Sequence, residues 1–258
     1  MTCRALILVV VLASGCATAP TPTAAPPAQP APAATPSQTA PSQAAPAAPP
    51  AAIHWVRDSA EHHAALLQAY LLATERIEKL AKGVPAGTWA VALDGDETVI
   101  DNSDYMKERA AQGAGFDSAS WKQWTEKKAA TPLPGAVAFL TRVHELGGKI
   151  AIVTNRSNAE CPDTEADFRN DGIPYDLMLC MENDSEKEPR WQKVENGTAA
   201  PGVPPLRILL WVGDNIKDFP DLDQSLLAKQ DSAYSDFGRR FILIPNPMYG
   251  SWERNPAR

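Results

Sequence analysis

The sequence predicts an α/β fold: a mostly parallel, Rossmann-like sheet flanked by helices and carrying a small helical cap. Three observations predict it. Short apolar runs that fit buried strands alternate with amphipathic stretches of helix length. Several of those runs stop at acidic or amide residues, as strands do where a parallel sheet presents its carboxyl edge to a ligand. The part of the chain from Ile53 onward, about 200 residues, has the size of one domain with a cap.

Taken in order, Ile53 to Lys82 places Ala65, Leu66, Ala69, Leu72, Ala73, Ile77 and Leu80 three and four residues apart, with Gly83 and Pro85 beyond. An amphipathic helix is expected there, broken or continuous. Thr88–Leu93 is a short apolar run, read as a buried strand that stops at Asp94. Asn102 to Thr131 is polar and dotted with aromatic residues; with residues 53–88 it is the expected cap. Pro134 opens a helix to Leu146, Gly147 and Gly148 close it, and Lys149–Val153 is a second strand ending at Thr154 and Asn155. A helix around Asp163–Asn170 leads to a third strand, Tyr175–Cys180. A segment containing Lys187, Arg190 and Trp191 precedes a fourth, Arg207–Val212, which ends at Gly213, Asp214 and Asn215; Phe241–Ile244 is a fifth.

The first fifty residues differ in kind. Eleven of the chain's 24 prolines fall in residues 17–50, beside thirteen alanines and no charged residue. Such a tract cannot bury enough apolar surface to offset its ordering entropy, and it reads as an extended tether. Ahead of it, Arg4 and the run Ala5–Ala13 lead to Ser14-Gly15-Cys16, the pattern of a secretory signal over residues 1–15. Its end resembles a bacterial lipobox, which implies a lipidated Cys16, residues 16–52 as tether, and a membrane partner reached through the lipid; ordinary signal cleavage is the alternative. Lipid anchoring places the protein in the bacterial cell envelope, at the outer membrane or in the periplasm. Cys161 and Cys180 remain in the exported domain, either as a disulfide or as two buried thiols. The net charge of −7 argues against a nucleic-acid polymer as partner.

Three predicted strands finish in Asp94-Gly95-Asp96-Glu97-Thr98, Thr154-Asn155 and Gly213-Asp214-Asn215. Carboxylates packed at one sheet edge repel unless a cation offsets them, and oxygen donors with no His or Cys beside them favour Mg²⁺. A cation beside a free carboxylate can hold a phosphoryl group for attack on phosphorus, and Thr154, Asn155 and Lys187 can steady the charge that develops.

The four stretches Asp94–Thr98, Thr154-Asn155, Lys187 within Lys187-Glu188-Pro189-Arg190, and Gly213–Asp218 resemble, in order, the four motifs of the haloacid dehalogenase superfamily. A closer resemblance is to the bacterial lipoprotein e family, class B-like acid phosphatases and 5'-nucleotidases. It rests on Trp55 with Ser59-Ala60-Glu61, on Asp101-Asn102-Ser103, on Pro134-Gly135-Ala136, and on Pro245-Asn246 with Tyr249-Gly250-Ser251-Trp252-Glu253.

The resemblance implies a phosphatase domain over 53–258 that hydrolyses nucleoside monophosphates or related small phosphate esters through an aspartyl phosphate, with sugar or vitamin phosphates as the alternative substrates. A catalytically idle surface or storage protein of the same fold ranks lower, because Asp94 and Lys187 are both present. The implied roles are Asp94 as nucleophile and Asp96 as general acid, then base. Asp94, the Asp96 carbonyl and Asp214 would hold Mg²⁺; Thr154, Asn155 and Lys187 the phosphoryl group; Asp218 would support Lys187 or the metal. Phe116 and Tyr249 would clamp a nucleoside base. A homo-oligomer is an allowed assembly. Lys217 departs from the family, which carries an acidic residue there, and so do Cys161 and Cys180.

Other residues have a plainer reading alongside. Asp101 and Asn102 either cap the next segment or ligate; Arg190 is either an ion-pair residue or a phosphate contact. Phe116, Trp121, Trp124, Tyr249 and Trp252 either pack or contact substrate. His62 and His63, being adjacent, are expected to be exposed.

Overall fold

The computed structural model describes residues 48–256. The signal, the lipidated Cys16 and most of the tether expected from the sequence lie outside the described residues. No helix among the described residues is long and apolar enough to cross a membrane.

The N-terminal amphipathic pattern is two helices, α1 (Ala51–Asp58) and α2 (Ala60–Leu80). The break is at Ser59, whose extended backbone and side chain cap α2: the hydroxyl accepts from the His62 N–H at 3.1 Å and donates to the Trp55 carbonyl at 2.6 Å. That turn also corrects one expectation. His62 is buried, its Nδ1 2.8 Å from the Val56 carbonyl oxygen and its ring against Trp55, whereas His63 is exposed.

Strand β1 (Trp89–Leu93) is followed by a loop and a two-residue strand, β2 (Ile100–Asp101). The polar stretch then forms α3 (Ser103–Ala111) and α4 (Ser118–Lys127) before β3 (Thr131–Pro132) pairs antiparallel with β2. The two short helices are thus inserted through one narrow neck. Helix α5 (Ala136–Glu145) and β4 (Lys149–Ser157) come next, and then α6 (Cys161–Asn170) and β5 (Leu177–Met181). The remainder is α7 (Glu188–Glu195), β6 (Arg207–Gly213) and β7 (Phe241–Leu243).

The main sheet is parallel throughout, in the order β5-β4-β1-β6-β7. Alternation along the strands divides the core. Val91, Leu93, Ile150, Ile152, Leu210 and Val212 pack on one face with Leu66, Tyr70, Ala73 and Ile77 of α2 and Phe139, Leu140 and Val143 of α5. Ala90, Ala92, Ala151, Val153, Leu179 and Trp211 pack on the other with Trp191 and Val194 of α7 and with Phe219. Helix α2, within the sequence expected to contribute to the cap, therefore puts its inner face into the core of the sheet. Cys161 and Cys180 form a disulfide, Cα atoms 6.0 Å apart, joining the start of α6 to β5.

Candidate active site

Strand register sets the site. Leu93 of β1 lies opposite Ile152 of β4 and Val212 of β6, so the chain beyond these residues emerges at one level. Strand order runs outward from β1 in both directions, which opens a crevice at its carboxyl end. Asp94, Thr154 and Asp214 emerge beside it, and the Asp94 N–H donates to the Val212 carbonyl at 3.1 Å.

The loop after Asp94 is tight. The N–H groups of Val99 and Ile100 both reach the Gly95 carbonyl, and Glu97 adopts a left-handed backbone (φ 52°) that costs a non-glycine residue about 1–3 kcal/mol. The buried Glu97 carboxyl accepts from the Asn102 N–H at 2.8 Å, and Tyr70 of α2 donates its hydroxyl to the Thr98 carbonyl. The strained turn is thereby held by the neck of the insertion on one side and by a core helix on the other.

Lys187, one residue before α7, is almost fully buried and extends its Nζ between two carboxylates, 2.5 Å from Asp94 Oδ1 and 2.6 Å from Asp218 Oδ1. Asp218 is anchored in turn because its Oδ2 accepts from the Asn215 N–H at 2.8 Å. Gly213 is required at the end of β6, since a methyl group there would collide with the Asp218 side chain. Asp214 accepts from Asn246 Nδ2 at 2.8 Å and from the Thr98 hydroxyl at 3.3 Å.

Oxygens of Asp94, Asp214 and Asp218 all lie within 4.8 Å of one another. Burial raises the Asp94 carboxyl to about 6; Lys187 pulls it down, while Asp218 and Asp96 push it up. Asp214 is held well above the usual carboxylate range by burial, then by Asp218 and Asp94. For Lys187, burial opposes the charge but Asp218 and Asp94 outweigh it, and its affinity for a proton is raised. Carboxylates so crowded and so far from water are an oxygen-donor set that fits a hard divalent cation.

Thr154 and Asn155 stand where β4 leaves the sheet, Thr154 buried and Asn155 exposed. Arg190 holds their backbone and side chains: one guanidinium nitrogen donates to the Thr154 carbonyl and the other to Asn155 Oδ1 at 2.6 Å, with the Glu186 carbonyl also in reach at 3.2 Å. Arg190 is thus no surface ion pair; it is a buried brace of the Thr154–Asn155 segment.

Sequence reasoning passed over Arg156. Strand β4 runs four residues beyond its apolar stretch, to Ser157, and so carries this arginine into the interior at 2% exposure. Its Nε lies 2.9 and 3.2 Å from the two Asp96 oxygens and one terminal nitrogen 2.8 Å from Oδ1. Asn102 donates to the same Oδ1 at 2.8 Å, whereas Asp101 caps α3 by accepting from the Ser103 N–H at 2.7 Å. The signal available was position: a basic residue two beyond Thr154, where alternation points it to the same side.

Phe116 lies between α3 and α4, 67% exposed, and contacts Tyr105 and Trp121. Tyr249 is half-buried beyond β7, two residues before Ser251, whose hydroxyl lies 2.8 Å from Asn215 Oδ1. Among the described residues no ring pair joins Phe116 to Tyr249. Trp121 and Trp124 pack with Tyr105 and against the main core, and Trp252 is exposed. Lys217 points outward to Glu186 at 2.8 Å.

The comparisons agree with this geometry. A sequence model of the family described as HAD superfamily, subfamily IIIB (acid phosphatase) matches residues 23–252. The class C acid phosphatase from Bacillus anthracis is similar in structure at a TM-score of 0.69 and 30% identity, over 78% of this chain and 85% of that one. A second structure of that enzyme, with tungstate bound, is similar at a TM-score of 0.68 and 29% identity over the same shares. With motifs, topology and a carboxylate edge in accord, the chain belongs to the acid phosphatases of HAD subfamily IIIB and is a phosphomonoester hydrolase.

Proposed function

We propose that the protein hydrolyses nucleoside monophosphates or related small phosphate esters through an aspartyl phosphate, with Mg²⁺ held by Asp94, Asp214 and the Asp96 backbone carbonyl. The observation that carries this reading is the placement of Asp94: a recessed carboxylate, ion-paired to a buried lysine, at the head of a crevice lined by Thr154 and Asn155. The cation would supply charge neutralisation for the phosphoryl oxygens and orient the ester.

In the first step an Asp94 oxygen forms a bond to phosphorus as the P–O bond to the alcohol breaks. Asp96 gives its proton to the departing oxygen. In the second, water attacks the phosphorus of the aspartyl phosphate and yields its proton to Asp96, and the P–O bond to Asp94 breaks to release inorganic phosphate. Lys187, Thr154 and Asn155 hold the phosphoryl oxygens, and Asp218 keeps Lys187 charged and in place. Tungstate binding by the Bacillus anthracis relative supports an oxyanion site of this kind. The aromatic cluster of the insertion, with Phe116 at its exposed rim, supports a flat base as the leaving group's far end. The N-terminal sequence supports a lipid anchor at Cys16 and a place in the cell envelope.

The test is phosphate release from a panel of nucleotides, sugar phosphates and simple esters with Mg²⁺ and after chelation. Asp94→Asn is expected to lower kcat by at least about 10³-fold with the fold retained; full turnover by this variant refutes the nucleophile, and equal turnover of base-containing and base-free esters refutes a preference for nucleotides.

A further inference from the structure

Asp96 is the one acidic residue at the sheet edge whose carboxylate is held by an arginine from the interior, and that arginine is gripped from several sides. Besides its contacts to both Asp96 oxygens, Arg156 donates to Asn102 Oδ1 at 3.0 Å and to the Thr164 hydroxyl of α6 at 3.2 Å. The ring of Trp121 lies over the guanidinium, 5.4 Å from its carbon. Asn102, which shares Asp96 Oδ1 with Arg156, is itself fixed by the Trp124 indole N–H at 2.8 Å. Trp121 and Trp124 both belong to α4, in the inserted helices.

A planar guanidinium bound to both oxygens of a carboxylate fixes its rotation as a lysine's point charge cannot. The Arg156 side chain is 1% exposed and its nitrogens are engaged by Asp96, Asn102 and Thr164, so its action is on Asp96 rather than on a substrate. We propose that Arg156 is the positioning residue of Asp96, and that through Trp121 and Trp124 the inserted helices set the angle at which Asp96 meets the departing oxygen. This rests on the reading of Asp96 as proton donor given above. It makes the helices nearest the leaving group part of the proton-delivery apparatus, so that leaving-group recognition and leaving-group protonation share one set of side chains.

A general acid matters most where the leaving group is a strong base. An alkyl phosphate must have its oxygen protonated, whereas p-nitrophenolate departs without help. The measurement is kcat/KM, which reports the steps up to departure of the alcohol, for an alkyl phosphate and for p-nitrophenyl phosphate. Arg156→Met is expected to lower it by about 10²-fold for the alkyl ester and by less than about tenfold for the nitrophenyl ester. Arg156→Lys should recover part of the difference. Trp124→Phe, which keeps an aromatic side chain but removes the indole N–H and with it the hydrogen bond to Asn102, should show the same bias at about three- to tenfold, and it carries the test if Arg156→Met does not fold. Equal losses on the two esters in both variants overturn the proposal. Asp96→Asn separates the two levels: if it shows the leaving-group bias and the Arg156 and Trp124 variants do not, the positioning role alone fails; if it turns over both esters at the wild-type rate, the reading of Asp96 fails.

Discussion

The strand-end carboxylates and the inserted helices are linked through Asn102 and Arg156 and are built in opposite ways. Around Asp94 the charged side chains are tied to one another and to their neighbours: Lys187 to Asp94 and Asp218, Asp218 to the Asn215 backbone, Asp214 to Asn246. In the insertion, Phe116, in the loop between α3 and α4, meets the Trp121 ring at a tilt of 46°, and Phe116 is mostly in solvent. The first arrangement fixes the carboxylates; in the second only the exposed rim at Phe116 can be altered without disturbing the sheet, since Trp121 and Trp124 reach Arg156 and Asn102. The two parts therefore differ in their tolerance of substitution.

That contrast can be broken most severely at Lys187. Lys187→Met would strand Asp94 and Asp218 as uncompensated buried charges, a loss of about 3–5 kcal/mol. For a domain of this size the midpoint of thermal unfolding should fall by roughly 10 °C at neutral pH in the absence of metal; an unchanged midpoint would mean that the ion pairs do not hold the edge together.

A smaller effect tests the same edge through pH. The Asp94 carboxyl is raised from 3.8 to about 6 in the fold, so the folded state binds its proton more tightly than the unfolded state. Its stabilising contribution is fully present below about 3.8 and disappears as pH rises through about 6. Asp214, shifted in the same direction, adds to this. The metal-free protein should therefore lose thermal stability between pH 4 and 7, and millimolar Mg²⁺ should raise the midpoint more at pH 7.5 than at pH 5. A gain independent of pH, measured by differential scanning calorimetry, would separate the cation from these carboxylates.

The smallest effect is expected in the insertion. Phe116→Ala should change stability by less than about 0.5 kcal/mol and leave turnover of a base-free ester intact. It should weaken kcat/KM for nucleotides by up to about tenfold. Loss on all esters alike would bring Phe116 out of the rim and into the tightly held edge.

Much of this contrast was legible in the sequence, and unevenly so. The five strands and their polar ends could be read because a strand buried on both faces is a continuous apolar run, and Asp94, Thr154 and Asp214 follow such runs directly. Lys187 was legible only through its motif, because nothing about an isolated Lys-Glu-Pro-Arg stretch says that its ammonium will lie between two aspartates. Arg190 and Arg156 look like surface residues in a sequence, since arginine is rarely buried unless paired; their partners are a backbone carbonyl from another strand and an aspartate sixty positions away. The burial of His62 followed from a helix break that periodicity leaves undetermined. The disulfide depended on a Cα separation that only the packing of α6 on β5 sets.

The pairing of one ammonium with several carboxylates has a further consequence at the crevice. Asp94, Asp214 and Asp218, when ionised, carry three negative charges, and Lys187 returns one. The remaining pair of charges is what a single dication cancels. A phosphate dianion arriving at the bare edge would be repelled by these carboxylates, so the affinity for phosphate should rise with the concentration of a divalent cation that neutralises them.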